Sequence, residues 1–234
     1  MGIKATWLGH GTFLLQTPEG KNILIDPWVE NNPVCPDSLK KLDQVDLMLI
    51  THGHFDHIAD AIPIAKQLTP QVVGIYELCH WLQRKGVENC VQMNKGGSVT
   101  LADVKITMVH ADHSCGILED DGSIVYGGEA VGYILTFSDG TKLYHAGDTN
   151  VFGDMALIQE LYQPQIAMLP IGDQFTMSAR EAAKACELLK PKVVVPMHFG
   201  TFPILTGTPD QLQELTKAMP LEVHGLKPGE SLSL

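Results

Sequence analysis

The stretch Val45-Asp46-Leu47-Met48-Leu49-Ile50-Thr51-His52-Gly53-His54-Phe55-Asp56-His57 passes from an apolar run directly into three imidazoles and a carboxylate. The first half has the length and composition of a buried strand. The second half concentrates metal-ligand side chains at a density that surface chemistry rarely needs. Imidazole suits zinc, iron and nickel, and a carboxylate adds a hard anionic oxygen. His52 and His54 stand two apart where the strand ends, so the chain can turn both rings toward one ion. Asp56 and His57 are adjacent and diverge, so the same loop can supply a neighbouring ion, with Gly53 relieving the crowding.

Similar junctions recur along the chain. His110-Ala111-Asp112-His113-Ser114 follows the run 104–109, Gly147-Asp148-Thr149 follows 141–145, and His198 follows 192–195. Strand ends are where layered α/β architectures carry their sites. Further strand-like runs lie at 3–8, 12–17, 22–25, 72–75, 131–137 and 166–169. Helical patterns cover 59–68, with Pro63 tolerated only in an opening turn, and also 75–85 and 154–162. Ser178 with Glu181 forms a capping-box pattern ahead of 179–190, and Thr208-Pro209 with Gln211 marks another start. Strands first and helices interspersed predict sheets covered by helices. Both halves carry a strand, a ligand-bearing loop and a helix, which suggests two related halves sharing one site.

A chain of 234 residues that is 44% hydrophobic can bury one sizeable core, and no linker interrupts it, so one domain over 1–234 is expected. The net charge of −11 argues against nucleic acid and favours a small-molecule substrate. An anionic substrate stays open, because bound metal inverts the local field. The N-terminus enters strand-like sequence at once, without the apolar segment of a signal peptide, and no later run reaches membrane-spanning length. The five cysteines are odd in number and form no close pair along the chain. A reduced, cytoplasmic protein without membrane insertion is expected. No residue pattern sets an oligomeric state.

With Thr51-His52-Gly53-His54-Phe55-Asp56-His57, a middle histidine, Gly147-Asp148-Thr149 and the late His198, the sequence resembles the metallo-β-lactamase superfamily. Within it, the chain is similar to the UPF0173 metal-dependent hydrolases. That likeness is carried by Trp7-Leu8-Gly9-His10-Gly11, Ile25-Asp26-Pro27, His113-Ser114, His145-Ala146-Gly147-Asp148-Thr149 and Leu226-Lys227-Pro228-Gly229-Glu230. The resemblance implies a four-layer αββα sandwich with a dinuclear site at one edge. It implies that His52, His54 and the middle histidine hold one ion, that Asp56, His57 and His198 hold the other, and that Asp148 bridges them. The family's middle histidine directly precedes a serine, which favours His113. His110 remains the alternative, as a ligand or as a proton-handling residue near the substrate.

Two divalent ions, zinc by default with manganese, nickel or iron able to use the same ligands, would bridge a water and lower its pKa. The resulting hydroxide would attack a small ester-like substrate, with phosphodiester and lactone or acyl-ester cleavage both open. Asp56, His113, Asp148 and His198 are the candidate catalytic residues, and Asp56 could orient the nucleophile. Two other readings are a di-iron redox protein on the same scaffold and a noncatalytic metal-stabilised binding module. The first usually replaces the second loop histidine with an acid, against His54; the second needs closed coordination. Around the site, Asp26, His10 and His145 are candidates to hold a ligand's outer N–H. Ser114, Thr149 and Thr201 would touch substrate or orient imidazoles, and Trp28 would line the pocket mouth. Cys115 reads as an ordinary buried residue, His80 and His224 as distant, and Asp120-Asp121 as solvated.

Overall fold

The computed structural model describes residues 2–234. The Val-, Ile- and Leu-rich runs become strands, because such side chains pack well on a pleated surface covered from both sides. The first sheet is built from Lys4–Gly9 (β1), Thr12–Gln16 (β2), Asn22–Ile25 (β3), Leu47–Leu49 (β4), Gln71–Ile75 (β5) and Cys90–Met93 (β6). The second takes Ser98–Leu101 (β7), Val104–His110 (β8), Val131–Thr136 (β11), Lys142–His145 (β12), Ile166–Pro170 (β13), Val193–Met197 (β14) and Glu222–Val223 (β15). Gly116–Leu118 (β9) and Ile124–Tyr126 (β10) form a separate hairpin, and Ser231–Ser233 (β16) returns to pair with β1.

The two sheets share one plan. The first runs antiparallel through β16-β1-β2-β3 and parallel through β3-β4-β5-β6. The second runs antiparallel through β7-β8-β11-β12 and parallel through β12-β13-β14-β15. The repeated strand–loop–helix pattern of the sequence therefore corresponds to matching positions in two sheets. Trp7, Phe13, Leu15, Tyr133 and Tyr144 fill the shared core. Tyr133 reaches from β11 to the other sheet, donating its hydroxyl to the Ile50 carbonyl at 2.7 Å. Val131 N–H donates to the Thr51 carbonyl at 3.0 Å. These bonds tie the histidine-rich loop of one sheet to the other sheet.

The helices are Phe55–Ile58 (α1), Ala61–Leu68 (α2), Tyr76–Arg84 (α3), Met155–Tyr162 (α4), Ala179–Leu189 (α5) and Pro209–Thr216 (α6). Pro63 falls in the first turn of α2, where no N–H is needed. The capping boxes of Ser178–Glu181 and Thr208–Gln211 both form. With α3 against β5 and β6, α5 against β13 and α6 against β15, the layers make the expected αββα sandwich. Among the described residues, no helix is long and apolar enough to cross a membrane.

Six short strands, β6, β7, β9, β10, β15 and β16, have no counterpart among the runs read from sequence. They are edge or hairpin strands two to four residues long, mostly half-exposed, so they carry no continuous apolar run. The fold also brings together two thiols that are distant along the chain. Cys79 of α3 lies beside Cys90 of β6, and this neighbouring thiol, followed by burial, drives the Cys79 pKa well above the usual thiol range. Both remain free thiols.

Candidate metal centre

The ends of β4, β8, β12 and β14 converge at one edge of the sandwich. The loop after β4 carries His52 and His54, and His54 then becomes the N-cap of α1, which presents Asp56 and His57. His52 Nε2 lies 3.0 Å from His54 Nδ1, and His113 Nε2 lies 3.3 Å from the same atom. These three residues form one candidate ligand cluster. His113, not His110, is the histidine brought here. His110 points outward, against Lys95 at 3.3 Å and the ring of Phe152 at 4.9 Å.

A second cluster holds Asp56, His57 and His198, with His10 beside them. Asp148 Oδ2 stands between the clusters, 3.0 Å from His198 Nε2, 3.4 Å from His57 Nε2, 3.8 Å from His113 Nε2 and 3.9 Å from His52 Nε2. Asp56 Oδ2 lies 3.8 Å from His57 Nε2 and 3.9 Å from His198 Nε2. All seven residues singled out in the sequence thus meet within one small volume.

The surroundings fix which ring nitrogens face inward. Buried Asp26 accepts from Thr51 N–H and Thr51 Oγ1, both at 2.7 Å, and its Oδ2 lies 2.8 Å from His57 Nδ1. Holding a proton on His57 Nδ1 leaves Nε2 as the donor atom toward Asp148. Thr51 Oγ1 also lies 3.0 Å from His52 Nδ1, leaving His52 Nε2 for the cluster. Asp26 itself is within ligand reach of His52 and His57, but both its oxygens are already engaged. Gly11 leaves room for this packing, since a Cβ there would come within 2.7 Å of His57 Cε1.

His10 props the second cluster in the same way. Its Nδ1 lies 2.9 Å from Thr201 Oγ1, its Nε2 2.8 Å from Asp56 Oδ2, and its ring centroid lies 3.8 Å from that of His198, the planes tilted by 43°. With both nitrogens committed, His10 orients Asp56 rather than adding a ligand. His198 N–H donates to the His10 carbonyl at 3.0 Å, and both residues hold left-handed backbone, with φ of 56° and 58°. Such strained conformations persist where surrounding contacts determine them.

The remaining expectations sort themselves by place. Buried His145 accepts from Gly147 N–H at 3.2 Å and so shapes the turn carrying Asp148, without joining the ligands. Thr149 Oγ1 accepts from Asp112 N–H at 3.0 Å, which ties the His113 loop to the Asp148 loop. Ser114 Oγ lies 3.2 Å from His54 Nε2 and lines the cavity. Trp28 does not line the mouth; it is only 3% exposed, packed behind it against His10, Phe55 and Phe202. Cys115 is buried, its thiol donating to the Gly127 carbonyl, and burial pushes its pKa up to about 11. His80 is exposed on α3, and His224 pairs with Glu222 at 3.1 Å.

Electrostatics put the donors in ligand form. Burial lowers the pKa of His52 far below its ordinary value, and burial likewise lowers those of His54 and His113, so their lone pairs are free. Burial opposes ionisation of Asp148, yet the neighbouring His198 and His57 outweigh it and keep the carboxyl anionic. His57 is the exception: burial disfavours its charge, but Asp148, Asp26 and Asp56 together hold its pKa well above normal. That proton balances a carboxylate-rich pocket that a cation would balance better. Two buried polar atoms, His57 Nε2 and the anionic Asp148 Oδ1, have no hydrogen-bond partner, which costs roughly 1–3 kcal/mol per group unless another species satisfies them. The residues therefore fit a metal ion.

Residues 21–199 match the beta-lactamase superfamily domain, so fold and site together define a member of the metallo-β-lactamase superfamily. Within that class, the chain belongs to the UPF0173 metal-dependent hydrolase family. It is 58% identical over 232 residues to a UPF0173 metal-dependent hydrolase of Koribacter versatilis, covering 99% of this chain and 98% of that one. It is 55% identical over 228 residues to one of Solibacter usitatus, covering 97% and 98%. Among solved structures it is similar to Igni18, a metallo hydrolase from the hyperthermophilic archaeon Ignicoccus hospitalis. That match has a TM-score of 0.86 at 36% identity and covers 100% of this chain and 99% of Igni18.

Proposed function

We propose that residues 1–234 act as one domain that holds two divalent ions, zinc by default, and hydrolyses a small ester-like substrate. His52, His54 and His113 would hold one ion, Asp56, His57 and His198 the other, and Asp148 would serve both. The observation that carries this reading is the position of Asp148 Oδ2, within 3.9 Å of an imidazole nitrogen on four histidines from both clusters. Bound divalent ions would make the attacking water acidic near neutral pH and offset negative charge developing on the substrate oxygen. Asp56, fixed by His10, lines the cavity and would orient the attacking water. Ser114, beside His54, offers a hydroxyl to the departing oxygen. The reducing cytoplasm is the proposed setting, supported by five cysteines, an odd number, with no close pair along the chain.

The test is hydrolysis of bis(p-nitrophenyl) phosphate and of p-nitrophenyl esters by metal-quantified protein, alongside a folded His198→Ala variant. Turnover that tracks two metals per chain and is lost in the variant is the expected result. Turnover unchanged in His198→Ala, or none on either substrate class with two metals bound, would overturn the reading.

A further inference from the structure

The hairpin of β9 and β10 stands beside the metal centre and is apolar on both faces. Its inner face carries Ile117, which is 1% exposed. On the other face the register places Ile124 opposite Leu118, and these are 75% and 62% exposed. A solvent-facing strand face is ordinarily polar, so an apolar pair here needs another explanation. The hairpin is not a loose flap. Gly127 N–H donates to the Cys115 carbonyl at 3.0 Å at its base. Near its tip, Glu119 accepts from Trp81 Nε1 and Lys85 Nζ, both at 2.7 Å. A Cβ on Gly53 would come within 2.6 Å of Ile117 Cγ1, so the hairpin is seated directly on the first ligand loop.

The exposed pair forms one wall of a cavity of about 570 Å³ whose floor is His54, Asp56, His113, Asp148 and His198. Phe55 and Phe175 supply the rest of the apolar lining. Phe175 is presented by an unusual turn in which Asp173 and Gln174 both hold positive φ, 67° and 42°. Such backbone strain gathers at ligand-binding surfaces. The volume lies in the range of pockets that enclose small molecules. Among the described residues, the lining contains no Lys or Arg. The nearby Lys85 is already paired with Glu119. A second anionic group on the substrate would therefore meet no counter-charge, while an apolar group would cover exposed Leu118, Ile124 and Phe175.

We infer that the substrate is lipid-like: an ester-type group at the metals joined to an uncharged, apolar chain that lies along the β9–β10 hairpin. This deepens the hydrolase reading and rests on it for the position of the reacting group.

The experiment is calorimetric titration of the metal-loaded protein with N-alkylacetamides from butyl to decyl. Burying a methylene fully is worth about fourfold in affinity, and a groove open on one side about half that factor. Kd is thus expected to fall about twofold per methylene, roughly sixtyfold across the series. The fall should shrink to about fourfold or less in Leu118→Ser/Ile124→Ser, and also become shallower in Phe175→Ser, which alters the opposite wall should the double variant not fold. N-acetyl-5-aminopentane-1-sulfonate, whose charged chain end is a poor metal ligand, should bind at least about tenfold more weakly than N-hexylacetamide. A flat series, an unchanged slope in the folded variants, or equal binding of the charged probe would each overturn the inference. Chain-length-dependent binding without turnover of any ester would remove the hydrolase reading and leave the apolar surface standing. Turnover with a flat series would do the reverse.

Discussion

The two halves of the candidate metal centre are built differently, although Asp148 stands between them. The His52–His54–His113 cluster is all imidazole, and two of its members reach the open cavity. The Asp56–His57–His198 cluster has a carboxylate of its own, and buried Asp26 and His10 brace its members from behind. More negative charge and firmer outer contacts both favour a bound cation. On the proposed two-ion reading, the second cluster should grip its ion harder, while the first should lie closer to substrate and exchange more readily.

The largest effect should come from the residue common to both. Asp148→Ala is expected to reduce turnover by about a thousandfold or more, the scale of losing a principal electrostatic contact. Metal analysis should find less than one ion per chain. Two tightly bound ions in that variant would break the shared-ligand picture. Next comes the brace: Asp26→Asn should weaken the second cluster's metal affinity by about 10- to 100-fold, as outer partners of ligating histidines generally do. Competition with a chromophoric chelator would resolve it, and an equal loss at both clusters would erase the contrast drawn above. In the wild type, the same chelator should release metal in two phases. His54→Ala should remove the fast one and His57→Ala the slow one.

Acid sharpens the comparison through a residue outside both clusters. Burial holds the His145 pKa at about 4, against an ordinary value of 6.5. The unfolded chain therefore takes up this proton before the folded one does. Stability from this group is complete above pH 6.5 and is lost as pH falls toward 4, about 2 kcal/mol between pH 7 and 5. Urea unfolding of the metal-free protein should show that loss, and His145→Asn should show less of it. The smallest change belongs to His110→Ala, which should alter kcat/KM by no more than about twofold, because exposed substitutions away from special contacts do little. A tenfold loss there, with His113→Ala mild, would reverse the assignment of the middle histidine.

Much of this was legible in the chain. His52, His54, Asp56 and His57 are close in sequence, so their meeting is a local matter of one strand end and one short helix. The strands that carry His113, Asp148 and His198 announce themselves by burial on both faces, and Ser178 and Thr208 announce helix starts through their caps. The choice of His113 over His110 was not legible from spacing, because it depends on which way the chain turns after β8. Nor was the proximity of Cys79 and Cys90, which needs α3 to fold back on β6.

The apolar wall was missed entirely. Leu118 and Ile124 sit in three-residue strands around a polar turn, and Phe175 is isolated among polar neighbours, so no periodicity marks them. By itself, the sequence determined the kinds of ligand, the layered class of fold and the strand ends that carry the site, since these follow from side-chain chemistry and short-range pattern. Only the tertiary structure decided the partners: Asp26 behind His57, His10 behind Asp56, Asp148 between two clusters and a hairpin beside them. Those contacts join residues 31 to 96 positions apart, and no local pattern encodes such a meeting until the sheets pack and burial forces each polar atom to find its partner.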